Sequence, residues 1–131
     1  QGLSMESIHL EVVTPMGMIY DGEANAVVLP GSEGEFGVLK GHASLVSSLK
    51  AGVIDIQKEN DKHELIAIDS GYAEVNEFKI TVLAKGAVAI NASGEVAQNL
   101  AKAKELIKSM SSDNAALATT FANIDSKLGA L

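Results

Sequence analysis

The sequence predicts an α+β chain: an N-terminal antiparallel β-sandwich followed by a C-terminal two-helix antiparallel hairpin. Three observations carry that prediction. Apolar residues in the first two thirds of the chain alternate with a period of two, those after residue 94 recur at steps of three and four, and the segments between are short and rich in turn-forming residues. With 131 residues, 47% of them hydrophobic, the chain is long enough to bury a core as one domain or one domain with an appendage.

In "IHLEVVT" (8–14), Ile8, Leu10 and Val12 alternate with His9, Glu11 and Val13, as in a half-buried strand. "ANAVVLP" (24–30), "GVIDIQ" (52–57), "HELIAID" (63–69) and "FKITVLA" (78–84) repeat the pattern, β-branched and bounded by Gly, Asn, Asp or Lys. "KENDK" (58–62) and "NE" (76–77) are expected as hairpin loops, so neighbouring strands pair antiparallel. After "NASG" (91–94) the period changes. Val96, Leu100, Ala103, Ile107 and Met110 form one helical stripe and Leu117, Phe121, Ile124 and Leu128 a second, with "SSDN" (111–114) as the break and source of N-cap side chains. The two stripes are expected to hold the hairpin together. Residues 1–4 read as an expression scar ahead of Met5, residues 5–92 as the sandwich and residues 93–131 as the helical domain. Acids and lysines balance in residues 95–131, so the formal net charge of -7 belongs to the sandwich.

Composition excludes several functions. A charge of -7 and ten basic residues that are all lysine argue against nucleic acid, which calls for a positive field and usually arginine forks. Without cysteine there is no disulfide, thiol nucleophile or zinc-thiolate site. No apolar run approaches the roughly 20 residues that span a bilayer, and no signal segment is evident, so the cytoplasm is the default address. "GSEGEFGVLKGH" (31–42) is the most unusual stretch. It fails as a phosphate loop, because Lys40 precedes Gly41 and His42 while Glu33 and Glu35 repel phosphate. As a metal site it offers Glu33, Glu35 and His42 without a second histidine, and a solvated acidic turn fits better. Ser70 in "DSGY", with Asp69 and either His42 or His63, lacks the strained nucleophile elbow and reads as an ordinary turn. No catalytic residue, cofactor or metal is assigned.

"GSEGEFGVLKGHASLVSSLKAG" (31–52), "IDSGYAEV" (68–75), "ITVLA" (80–84) and the opening "HLEVVTPMGMIYDG" (9–22) together resemble the ε subunit of bacterial F-type ATP synthases, over essentially the whole chain after the scar. The resemblance implies the same sandwich-plus-hairpin architecture. It also implies a non-catalytic rotor subunit of the central stalk on the cytoplasmic face of the bacterial inner membrane, bound to γ, resting on the c-ring and coupling proton-driven rotation to ATP synthesis at the α/β subunits. Glu35 and His42, with Glu33 beside them, are then ring-facing, and an apolar sandwich face meets γ. Membrane association is expected only through the complex.

The chain departs from the family where regulation is concerned. Relatives that inhibit ATP hydrolysis do so with basic side chains on the second helix, and here that helix carries only Lys127, next to Asp125. Relatives that bind ATP use an acid and an arginine near the first helix, whereas "INASGEVA" (90–97) places Asn91 there and the chain has no arginine. Weak inhibition and no ATP site are expected. The alternatives are a stand-alone sandwich that binds an unrelated protein, and a small hydrolase built on Ser70.

Overall fold

Alternation along the strands sorts side chains onto two faces, and where both faces are covered the alternation gives way to continuous apolar runs. A computed structural model describes residues 7–91, 94–110 and 114–129. Its strands are β1 (Ile8–Thr14), β2 (Gly17–Ala24), β3 (Ala26–Gly31), β4 (Gly34–Val38), β5 (Leu45–Leu49), β6 (Gly52–Gln57), β7 (His63–Ile68), β8 (Gly71–Val75), β9 (Lys79–Ala84) and β10 (Ala87–Ala89). The helices are α1 (Val96–Lys108) and α2 (Asn114–Gly129). The strands run β10-β7-β6-β3-β5-β8-β9-β1-β2, with β4 on the far side of β3. β3 and β5 share the one pair Gly31↔Leu49, where the path turns a corner. It thereby folds into an inner layer, β4-β3-β6-β7-β10, and an outer layer, β5-β8-β9-β1-β2.

The first core lies between the layers. Ile8, Leu10 and Val12 of β1 and Ile80 and Val82 of β9 join Val27, Leu29, Ile54, Ile56, Ile66 and Ile68 of the inner layer. β6 and β7 are apolar on their other face as well. There Val53, Leu65 and Ala67 form a second core with Ile90 and with Ala103, Ile107, Leu117 and Ile124 of the helices, and Leu100, Phe121 and Leu128 pack at its margin. The helical stripes thus bury themselves chiefly on the sheet. Between the helices, Lys104 Nζ lies 3.3 Å from Asp125 Oδ1 and 5.6 Å from the centre of the Phe121 ring, which ties α1 to α2.

Several local expectations need correction. Residues 31–42 are more than a turn, because they contain β4. β2, β5, β8 and β10 also go beyond the expected strands: two are interrupted by serine or glycine, one begins inside "DSGY" at Gly71, and β10 has three residues. β1 and β9 pair parallel, from His9↔Lys79 to Val13↔Leu83. No hairpin turn connects these two strands, so nothing local imposes an antiparallel sense. Met110 lies beyond the end of α1 and is 44% exposed, so it is not part of the buried stripe. The expected scar, the boundary at 92–93 and most of the "SSDN" break fall outside the described residues.

Candidate functional site

The glycines of 31–42 are set by geometry. Gly34 has φ +131, and a Cβ on Gly31 would lie 2.7 Å from the Gly34 carbonyl oxygen and 2.8 Å from Phe36 Cε1. The hairpin tip is tied to β5: Ser32 N donates to Ser48 O at 3.0 Å and Ser48 Oγ to Ser32 Oγ at 2.8 Å. Glu33 stands exposed at this tip. Glu35, opposite Pro30 in the register, turns toward the helices, where its Oε2 lies 3.5 Å from Lys127 Nζ. His42 is at the other end of β4. There Gly41 N donates to Glu77 O at 2.8 Å and His42 Nδ1 donates to Ala43 O at 2.7 Å. The structure therefore places Glu33 in the turn before β4, Glu35 within it and His42 in the loop beyond it, rather than gathering them around a metal.

"DSGY" is a locked turn. Asp69 is buried, and its Oδ1 accepts from Ser70 N at 2.7 Å and from Gly86 N at 2.8 Å, joining the β7–β8 and β9–β10 connections. His63 Nδ1 is engaged 2.7 Å from Asp55 Oδ1, so neither it nor His42 completes a triad with Ser70. Asn91 stitches β7, accepting from Leu65 N at 2.9 Å and donating to His63 O at 2.8 Å.

The outward face of the outer layer is different in kind. Successive registers align Ser48↔Tyr72, Tyr72↔Leu83, Leu83↔Val13 and Val13↔Met18 in one cross-strand row. Tyr72 is 60% exposed, Leu83 51% and Met18 52%, and Val46 and Met16 extend the patch. Large apolar side chains continuous over several strands and open to water mark an interaction surface. The next row is acidic, with Glu74, Thr81, Glu11 and Asp21, followed by Lys79, His9 and Glu23. His9 Nδ1 lies 2.5 Å from Glu23 Oε2 and Nε2 lies 2.7 Å from Asp21 Oδ1, while Lys79 Nζ is 3.1 Å from Glu11 Oε1. The hydrogen bond to Glu23, then the one to Asp21, raises the His9 pKa above its ordinary value against the opposing effect of burial. Ligand atoms of His9, Glu11 and Asp21 lie within 4.8 Å of one another, but Asp21 is already engaged by His9 and Glu11 by Lys79.

Sequence reasoning set Val13 on the outward phase of β1 but did not single out Tyr72, Leu83 or Met18. Their signal was present as phase: Tyr72 and Leu83 are large apolar residues out of step with Ala73, Val75, Ile80, Val82 and Ala84, which point inward.

The family model for the ATP synthase delta/epsilon chain β-sandwich domain matches residues 7–90. An ATP synthase epsilon chain from Campylobacter lari is 65% identical over 123 residues, covering 92% of this chain and 95% of the relative. The chain belongs to the ATP synthase epsilon family. An epsilon chain of Campylobacter jejuni subsp. doylei is 68% identical over 120 residues, covering 90% of this chain and 93% of the relative. Among solved structures, a chain of the Euglena gracilis mitochondrial ATP synthase OSCP/F1/c-ring assembly superposes with a TM-score of 0.65 at 27% identity, covering 98% of this chain and 85% of that one. A chain from the Tetrahymena thermophila mitochondrial ATP synthase central stalk and c-ring has a TM-score of 0.51 at 11% identity, covering 79% and 96%, which shows the shared fold. The epsilon chain is a non-catalytic subunit of the synthase. No helix among the described residues is long and apolar enough to cross a membrane.

Proposed function

We propose that this epsilon-family chain works as a rotor subunit of the central stalk, with the outward face of its outer layer on γ and its β4 edge against the polar loops of the c-ring. It transmits proton-driven rotation to the α/β catalytic subunits, as a peripheral component on the cytoplasmic face of the bacterial inner membrane. The observation that carries the reading is the exposed apolar row Tyr72–Leu83–Val13–Met18, which lies opposite the face the helices cover. Such a row supplies affinity once desolvated, while polar contacts at its margin fix register. β4 pairs only with β3 among the described residues. The free edge of β4 runs about 16 Å at some 3.3 Å per residue and carries Glu35, with Glu33 in the turn before it and His42 in the loop after it.

Reversing charge on that edge tests the ring contact. Glu33→Lys and Glu35→Lys are each expected to lower proton-coupled ATP synthesis in reconstituted vesicles by about twofold or more, with the sandwich intact in both and the seat of α2 disturbed only by Glu35→Lys, which sets a like charge against Lys127. Unchanged coupling in both variants removes the ring assignment.

Inhibition of hydrolysis by α2 is weak in this reading. Lys127 is the sole basic residue of the stretch 114–131, and its charge is already engaged by Glu35 and Asp55. A lone ion pair contributes at most about 1 kcal/mol. Deleting residues 113–131 in the assembled synthase is expected to raise ATP hydrolysis less than about fivefold; a larger activation contradicts weak inhibition.

A further inference from the structure

We propose that Glu35 is shared between two engagements, so that the β3–β4 hairpin and the C-terminal helix compete for one carboxylate and are thermodynamically coupled. Lys127, in the last turn of α2, has a side chain only 16% exposed, and its Nζ lies 3.5 Å from Glu35 Oε2 and 3.7 Å from Asp55 Oδ2. Asp55 is itself nearly buried, and its other oxygen is held by His63. A largely desolvated ammonium between two carboxylates depends on both, because losing either leaves it short of counter-charge away from water.

The three charged groups join β4, β6 and α2, elements far apart in sequence. The other ion pair of α2 among the described residues is more open. It runs to Lys104 of α1 rather than to the sandwich, and the Asp125 side chain in it is 58% exposed. Beside Glu35, an open cleft lined by Pro30, Ala51, Gly52, Thr119 and Thr120 separates the middle of α2 from the inner layer. The helix is therefore seated by Leu117 and Ile124 and fastened by Lys127.

Glu35 is the accessible half of the fastener, with 40% of its side chain exposed. A cationic group brought to the hairpin can take it from Lys127. By linkage, whatever draws Glu35 away loosens α2, and whatever lifts α2 frees Glu35, by the same factor. The source of that cation rests on the ring-facing reading above, whereas the coupling itself is internal to the chain and is measured on the chain alone.

The test is amide hydrogen exchange on the purified full chain, with β9 amides as the control for an intact sandwich. Glu35→Gln is expected to speed exchange across α2 by roughly three- to tenfold, while Glu33→Gln leaves it unchanged. In a Lys127→Gln background, the Glu35→Gln change has no further effect. The proposal is overturned if Glu35→Gln matches wild type on α2, or if it speeds exchange equally with and without Lys127. Should exchange behave as stated while Glu33→Lys and Glu35→Lys leave coupling in vesicles untouched, the fastener stands and the ring contact falls.

Discussion

Tyr72→Asp combined with Leu83→Asp is expected to weaken capture of γ by at least about 100-fold while leaving thermal unfolding of the isolated chain within a few degrees of wild type. The two side chains are direct cross-strand neighbours, each more than half exposed, at the middle of the apolar row. Because they face water in the free chain, replacing them removes nothing from either core. In the complex, each aspartate would have to be desolvated against an apolar partner, and an unpaired charge so placed costs several kcal/mol. Glu59→Lys, in the exposed 3-10 turn between β6 and β7, is the control and should bind as wild type. Capture that survives the double substitution would mean γ docks elsewhere.

Ile107→Ala is expected to cost about 2–5 kcal/mol and to lower the urea midpoint accordingly. Ile107 is 1% exposed, in the second core with Val53, Leu65, Ala67 and Ile90. Truncation removes buried methylenes and leaves a cavity where α1 meets the sheet. The loss should register first as faster exchange in α1 and α2, with β1 and β9 still protected, since the inter-sheet core does not include Ile107. An unchanged midpoint would show that the helices contribute nothing to the stability of the chain.

How much of this was legible depended on how strongly each element's own side chains announce it. The long alternating strands were readable, since Ile8, Leu10 and Val12 fill one side of β1 and the polar phase faces water. So were the helical stripes, because Ala103, Ile107, Leu117 and Ile124 recur at helical spacing whatever they pack against. What they pack against was not readable, as an apolar stripe fits a sheet as well as a second helix. β4 escaped notice because "GEFGV" carries two glycines, and its place is fixed from outside by pairing with β3. The candidate sites were half legible. Glu33, Glu35 and His42 stand out in sequence, but their separation follows from the pairing of β4 with β3, and the hold of Lys127 on Glu35 from a tertiary contact across some ninety positions. The apolar row needs the register of several strands before it exists as a surface at all.

The most direct measurement of the central claim is the hydrogen-exchange footprint of γ on the full-length chain. Binding is predicted to slow exchange in β8, β9 and the β1–β2 hairpin while leaving α2 as it was. Protection confined to the helices, with the Tyr72–Leu83 strands exchanging as in the free chain, would contradict it.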